Sequence, residues 1–173
     1  VIDPRKTETV ESAHCKADVH LAIRPGTNVA ILDSIAHVVV REQLYNEEFV
    51  RARCEVNEFE NWKALVGSDK YAPEVIGPLA GVDPADIRKA ARMYAGGPNS
   101  AIYYGLGVTE HSQGSTGVMC LGNLGLSCGM LGREGVGVNP LRGQGNVQGG
   151  SCLGSWPHVF SGYRFVTDYA TRS

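Results

Sequence analysis

The sequence of 173 residues lacks the patterns that define several common classes of protein. No run approaches the roughly 20 consecutive apolar residues of a transmembrane helix, so we expect no membrane span in this chain. No basic start is followed by an apolar stretch and a cleavage site, so the sequence carries no targeting signal that can be interpreted. A formal net charge of −2 gives no electrostatic reason to expect nucleic acid or an anionic membrane as a partner.

The five cysteines are far apart, at positions 15, 54, 120, 128 and 152. No two of them form a C-x-x-C pair, which argues against a zinc site or an iron–sulfur cluster held wholly by these residues. The odd number and the long spacings also give no disulfide framework. This pattern favours a reducing, cytoplasmic setting, with a periplasmic one left open.

Glycine, in contrast, is abundant, with 22 residues, and it is concentrated in the segment GVGVNPLRGQGNVQGG at positions 135–150. Glycine allows the backbone to approach a ligand closely or to adopt positive φ. Four amide side chains in the segment offer paired donors and acceptors: Asn139, Gln144, Asn146 and Gln148. The single cation, Arg142, presents a planar fork suited to carboxylate or phosphate. The segment therefore predicts a loop that cradles a phosphate-rich cofactor and directs Arg142 at an anion. A flexible linker is the alternative, but linkers favour Gly and Ser without large polar side chains.

Two turns near the start of the chain follow predicted strands. Val1 and Ile2 lead into the turn at Asp3, and an alternating strand at 17–23 leads into the turn RPGTN at 24–28. The apolar rhythm after Asn28 predicts a helix whose N-terminus favours an anion or an electron-rich base. Because parallel strands end at one edge of a sheet, these turns can share a ligand.

A third turn follows a later helix and strand. Asp83 is expected to cap a helix that ends near Gly96, and an apolar strand at 101–105 then reaches a G-x-G turn. A small-residue-rich helix is expected at 116–130. The order of elements predicts an α/β fold, a Rossmann-like parallel sheet with helices on both faces. His37 and His111 are interpreted as structural residues.

The segment 135–150 resembles the G-x-G-x-N-P-x-R-G-Q-x-N-x-Q-G segment of catalytic subunits of molybdenum- or tungsten-dependent formate dehydrogenases, in the bis-pyranopterin guanine dinucleotide (molybdopterin) oxidoreductase superfamily. The D-P-R, P-G-T-N and G-x-G-V-T-E turns follow the family order, so the resemblance covers essentially the whole chain. Two departures are Gly145, where the family usually has a second Asn, and a longer connection, ETVESAHCKADVH, between the first two turns.

The resemblance implies that Arg142 is the catalytic residue that binds the formate carboxylate. It implies cofactor contacts in three groups. The guanosine end of one pterin dinucleotide would contact Asp3, Arg5, Gly26, Thr27 and Asn28. The second pterin would contact Leu106, Gly107, Val108 and Glu110. The resemblance also implies that Gly143, Gln144 and Asn146 lie close to a pterin.

Several further expectations follow from the resemblance. The function implied is two-electron oxidation of formate to CO2 at a molybdenum or tungsten bis-molybdopterin guanine dinucleotide centre, with electrons passing to iron–sulfur clusters. The metal-binding Cys or selenocysteine and a [4Fe-4S] cluster would lie upstream of an internal fragment that is inactive alone and contributes no metal ligand. Electron-transfer subunits or domains, whether iron–sulfur, NAD-, ferredoxin- or hydrogenase-linked, are the expected partners. Residues 1–142 would form the dinucleotide-binding-like domain, and 143–173 would start the next.

Three rival functions remain open. The first is another molybdopterin oxidoreductase of the nitrate or arsenic type, against which the arginine segment argues. The second is a non-catalytic electron-transfer subunit of the same fold, against which retention of Arg142 argues. The third is an ordinary nucleotide-binding domain, which would need a G-x-G-x-x-G motif at the start of a helix, and the sequence lacks one.

Overall fold

The structure is a computed structural model that describes residues 1–160 and 162–172. The chain divides into two compact units, Val1–Asn139 and Pro140–Ser173. The domain boundary predicted after residue 142 stays a prediction, since a compact unit is not by itself a domain. The secondary structure is mixed α/β, the class that the sequence predicts.

Most helices belong to the first unit. They are α1 Asn28–Arg41, α2 Glu47–Arg53, α3 Val56–Val66, α4 Pro73–Ala80, α5 Pro84–Gly96, α6 Leu106–Thr109 and α7 Gly114–Ser127, with a 3₁₀ turn at Asp69–Tyr71. The strands and the remaining helices are β1 Ala101–Tyr104, β2 Gly137–Pro140, α8 Val147–Cys152, β3 Val159–Phe160, β4 Arg164–Phe165 and α9 Tyr169–Arg172. No helix within the described ranges combines the length and the apolar character needed to cross a membrane.

The strands predicted at 1–2, 17–23 and 101–105 do not form one sheet in the part of the chain that the structure describes. Strand β1 pairs with β2, while Ile2 and Leu21 form an isolated parallel bridge. Residues 17–23 are therefore extended without forming a continuous strand. A physical reason lies at Pro4, which has no backbone N–H to continue a ladder beyond the hydrogen bond from Asp3 N–H to Leu21 O at 3.2 Å.

The core of the first unit surrounds α1. Ile31 and Val39 on this helix are fully buried, and α1 packs against α4, α5 and α7. Leu21 and Ile23 from the extended segment join the same apolar cluster, so the alternation read from the sequence does bury one face. The core therefore fixes the position of the turn that precedes α1.

The cap of α5 forms as predicted. The Asp83 carboxylate accepts a hydrogen bond from Ala85 N–H at 2.8 Å, and Pro84 occupies the first turn. Ile87 and Ala91 on the same helix are fully buried. The charge-rich residues 45–67 contain two short helices, α2 and α3.

The boundaries of α7 differ from the prediction of 116–130. The helix begins at Gly114, where a Cβ would overlap the carbonyl oxygen of Thr109, so only glycine allows α6 and α7 to approach this closely. It ends at Ser127, and the chain then turns at Gly129, whose φ is +67°. The one-turn helix α6 was not expected from its four-residue sequence.

Candidate cofactor cradle and arginine segment

Two of the predicted turns meet in the first unit. The Asn28 side-chain amide donates a hydrogen bond to the carbonyl oxygen of Gly107 at 3.4 Å. A small cleft of about 40 Å³ lies at this contact. Its lining residues are Gly26, Asn28, Val29, Val108, His111, Ser112 and Gln113. We name this arrangement the cradle. Residues assigned from sequence to two different pterins thus share one cleft.

The glycines of the cradle expose backbone. Gly26 has φ of +89°, in the region that favours glycine, and no atom lies within 4 Å of a Cβ built on it. The space around a Cβ on Gly107 is equally open. A ligand can therefore reach the main chain of both turns.

The N-terminus of α1 opens beside Gly26. Thr27 is the N-cap, but its hydroxyl donates to Arg24 O at 2.7 Å and caps no helix amide. The first hydrogen bond into the helix in the described chain runs from Ile31 N–H to Thr27 O at 3.0 Å, and the first turn contains no acidic residue. The preceding amides and the positive end of the helix dipole favour an anionic or electron-rich group.

Two histidines have structural contacts. A ring nitrogen of His111, Nε2, lies 2.9 Å from Gly107 O, so this side chain braces the turn at α6. His37 is buried in α1, with Nδ1 2.9 Å from Val66 O. Both contacts agree with the prediction that these residues are structural.

Asp3 and Arg5 do not line the cradle cleft. The Asp3 carboxylate instead accepts a hydrogen bond from Arg5 N–H at 2.7 Å, and a His20 ring nitrogen lies 2.8 Å from Asp3 O. The parallel Ile2–Leu21 bridge makes both chain segments run in the same direction toward their turns. Contacts of Asp3 and Arg5 with a cofactor stay predictions, as do those of Thr27, Leu106 and Glu110.

The longer connection after Arg5 folds on itself. Glu11 and Lys16 form an antiparallel bridge, and Ala17 N–H donates to Val10 O at 2.8 Å. Val10 is buried, while His14 and Cys15 lie exposed at the tip. The additional residues are therefore accommodated as a small hairpin.

Arg142 lies in the second unit, with an exposed side chain. Its Nε and Nη2 groups both donate to Gln148 Oε1, at 3.3 and 3.2 Å. The Gln148 amide nitrogen in turn lies 3.5 Å from Cys152 Sγ. The sequence predicts the arginine as a site residue, whereas this contact to Gln148 could not be read from it.

The remaining residues of the arginine segment surround the start of α8. Asn146 precedes the helix with φ of +53°, a conformation that Asn tolerates better than most residues. A Cβ on Gly149 would overlap the Asn146 amide, so glycine is required for this packing. Gly143 and Gln144 are exposed. The segment contains a strand and a helix, which argues against a structureless linker.

An aromatic cavity in the second unit was missed by the sequence reasoning. It measures about 420 Å³ and is lined by Trp156, His158, Val159, Tyr163 and Phe165. Trp156 Nε1 and the Tyr163 hydroxyl both donate to Ser151 O, each at 3.0 Å. Nothing in the spacing of these aromatics distinguishes a cavity from ordinary packing. None of the lining residues was predicted as a site residue.

Comparison with known proteins identifies the family. The sequence model of the Molybdopterin oxidoreductase family matches residues 1–167. "Formate dehydrogenase H" of Escherichia coli (strain K12) is 42% identical over 99% of this chain and 23% of its own length. The "F420-dependent formate dehydrogenase subunit alpha" of Methanocaldococcus jannaschii is also 42% identical, over 97% of this chain and 24% of its own length.

More distant relatives have other named activities. A "Nitrate reductase" of Synechocystis sp. is 31% identical over 96% of this chain and 22% of its own length. In the solved structure of "Acetylene Hydratase from Pelobacter acetylenicus", the match has a TM-score of 0.67 and 30% identity, covering 78% of this chain and 18% of that one. The chain thus spans less than a quarter of the length of these relatives. On the match over residues 1–167, the chain belongs to the molybdopterin oxidoreductase family.

Proposed function

We propose that this chain is part of the catalytic subunit of a molybdenum- or tungsten-dependent formate dehydrogenase, in which Arg142 binds the formate carboxylate. The proposal rests on the hydrogen-bonding pattern of the Arg142 guanidinium. Within the described residues its Nη1 group has no hydrogen-bond partner, so two N–H groups at the end of the fork can meet two carboxylate oxygens. The greater identity to formate dehydrogenases than to the nitrate reductase supports this choice.

The cradle fits one polar part of the implied cofactor. Open glycine backbone, the Asn28 amide and the start of α1 suit a phosphate or a base edge. A cleft of about 40 Å³ is much too small for a whole dinucleotide. We therefore assign Gly26, Asn28, Gly107 and Val108 as contacts to one portion of a pterin guanine dinucleotide.

The bound metal–pterin group would accept the two electrons released when formate is oxidised to CO2. Arg142 would supply fixed positive charge and planar orientation for the substrate. Two parallel N–H···O contacts hold both oxygens and leave the C–H bond pointing away from the guanidinium. Holding the substrate in one orientation lowers the barrier because less freedom is lost at the transition state.

A nitrate reductase is the second candidate, favoured by the Synechocystis relative. Nitrate is also planar and presents paired oxygens to a guanidinium, so geometry at Arg142 alone does not discriminate the two anions. The similar structure belongs to a protein with a third named activity, an acetylene hydratase. Similar folds can therefore support different reactions, and the residues of the site determine which one occurs.

The experiment is a comparison of two reactions in the metal-loaded, full-length protein. We expect formate-dependent reduction of a dye to exceed nitrate-dependent oxidation of the reduced dye by orders of magnitude in kcat/KM. Measured molybdenum, tungsten and pterin contents establish that both assays use loaded protein. Preference for nitrate would replace the proposal by the second candidate, and activity with neither anion would refute both.

A further inference from the structure

We propose that Gln148 is a positioning residue that fixes the plane of the Arg142 guanidinium, so that only one edge of the fork is presented to formate. The proposal rests on the formate-binding role given to Arg142 above. Gln148 itself would not touch the substrate.

The contact to Gln148 uses one edge of the guanidinium. Nε–H and the neighbouring Nη2–H both point at Gln148 Oε1, at 3.3 and 3.2 Å. These two N–H groups form the side of the fork, whereas Nη1 and the second hydrogen of Nη2 form its end. With the side occupied, an incoming carboxylate meets the end, and its orientation is thereby restricted to one arrangement.

The orientation of the Gln148 amide follows from its contact with Arg142. A guanidinium can only donate, so the oxygen of the amide must face Arg142. The amide nitrogen then faces Cys152 Sγ at 3.5 Å, where sulfur serves as a weak acceptor. The contact to Arg142 sets this orientation, because a flipped amide would turn its own N–H groups toward a guanidinium that can only donate. Cys152 lies one helical turn after Gln148 on α8, which fixes this pair by local geometry.

Glutamine suits this position because it is neutral. Arg142 is exposed and has a long side chain that can adopt many rotamers, so a neighbour that orders it reduces the freedom lost on binding. A carboxylate at 148 would also order it, but its negative charge would oppose the binding of a second anion. A neutral acceptor orders the arginine and leaves its charge available.

The first experiment uses Gln148→Met and Gln148→Glu in the metal-loaded, full-length enzyme. Methionine keeps the approximate length and removes the acceptor, so we expect kcat/KM for formate to fall about ten- to hundredfold, the effect of losing hydrogen bonds to a charged group. Glutamate keeps the acceptor and adds charge, so we expect a selective rise in KM with a smaller change in kcat. Gln43→Met is the matched control, since Gln43 is exposed and belongs to neither proposed site.

A double-mutant cycle separates positioning from a general structural role. If Gln148 acts through the guanidinium, Gln148→Met should reduce kcat/KM by less than about threefold in an Arg142→Lys background. Equal penalties in both backgrounds would mean that Gln148 acts independently of Arg142 and would overturn the proposal. Loss of metal and pterin from both Gln148 variants would overturn it too, because the residue would then serve cofactor retention.

A binding measurement without turnover gives a second readout. Arg142 is modified with a dicarbonyl reagent in enzyme lacking an electron acceptor, and its peptide is quantified by mass spectrometry at increasing formate concentration. We expect half-protection of Arg142 to require about ten times more formate in Gln148→Met than in the wild type. Unchanged protection would overturn the positioning role.

The two proposals fail in different ways. If Arg142→Lys retains wild-type formate turnover, the formate-binding role of Arg142 is wrong, and the inference about Gln148 falls with it. If Arg142→Lys is impaired while both Gln148 variants behave as the wild type, only the inference about Gln148 is wrong.

Discussion

Replacement of Arg142 by lysine tests the formate-binding role most directly, because it retains positive charge and removes the planar fork. The arginine offers two N–H groups at its end while two others contact Gln148 Oε1, at 3.3 and 3.2 Å. An ammonium group has no rigid plane and cannot reproduce both contacts at once. We therefore expect the lysine variant to keep the positive charge that attracts formate but to lose the contacts that fix the orientation of its carboxylate.

The size of the loss follows from the contacts involved. Lysine can form one charge-assisted hydrogen bond to a carboxylate where arginine forms two, and such bonds contribute about 1.5–3 kcal/mol each. Lysine also loses the ordering contact to Gln148, and the two losses overlap because both act on the orientation of one carboxylate. Together these give about 2–4 kcal/mol of lost transition-state stabilisation, comparable to removal of one preorganised donor in other enzymes. This corresponds to a fall in kcat/KM of roughly thirty- to a thousandfold.

The assay is formate-dependent dye reduction by metal-loaded, full-length protein, with kcat and KM determined separately. Arg142→Met removes the charge as well as the fork and should lower kcat/KM further than lysine does. Arg41→Lys is the matched control, since Arg41 is exposed in the last turn of α1. Metal and pterin contents of all variants should equal that of the wild type.

Two results would contradict the argument. Near-wild-type turnover by Arg142→Lys would make the arginine a structural residue or a phosphate contact. Equal activity of the lysine and methionine variants would show that charge contributes nothing once the fork is lost.

Three further predictions concern the cradle and the fold. Asn28→Ala removes the hydrogen bond to Gly107 O and should lower the pterin content of purified full-length protein; unchanged content would argue against the cradle. Gly114→Ala places a Cβ against the Thr109 carbonyl and should reduce the free energy of unfolding in urea by about 1–3 kcal/mol, whereas a neutral effect would mean that α6 and α7 separate easily. Asp83→Ala should cost about 1 kcal/mol in the same measurement and Asp83→Asn much less, because Asn also caps; equal losses would assign the effect to charge.

Local signals in the sequence predicted α1 and α5 well. Asp83 followed by Pro84 marks the start of α5, and the apolar rhythm after Asn28 marks α1. Each signal depends on residues within a few positions of one another. The class of fold and the order of these elements followed from them.

Such local signals do not predict which distant residues pair with one another. Alternation at 17–23 correctly indicated a buried face, but it does not say which segment pairs with that strand or for how long. The contact between Asn28 and Gly107 joins two turns that are 79 positions apart in the sequence, and no local pattern predicts it. The family resemblance identified candidate site residues by their motifs. It assigned Asn28 and Gly107 to two different pterins, although their turns are in contact. Side-chain contacts such as that of Arg142 with Gln148 depend on the backbone path of α8, so they cannot be predicted from the sequence pattern.

Helix α1, which follows the first cradle turn, and helix α7, which follows α6, are also joined by an ionisable pair. Cys120 on α7 donates its thiol to the Asp33 carboxylate on α1, with Sγ 3.5 Å from Oδ1. Burial raises the pKa of Asp33, while the thiol hydrogen bond and attraction to Lys70 oppose the rise. The same burial, with the nearby carboxylate, raises the pKa of Cys120 to about 12, so the thiol keeps its proton at neutral pH.

The raised pKa of Asp33 makes stability depend on pH with a definite sign. The folded chain binds the proton of this carboxyl more tightly than the unfolded chain, so its destabilising contribution is absent below the ordinary carboxyl pKa of about 3.9 and complete above the folded value. The free energy of unfolding should therefore fall through that window as pH rises. Asp33→Asn keeps the oxygen that accepts the thiol and removes the charge, so it should be more stable than the wild type at about pH 7 and nearly equal at about pH 3. Urea unfolding across this range measures the difference, and a gap that does not change with pH would show that Asp33 is ionised without penalty in the folded chain.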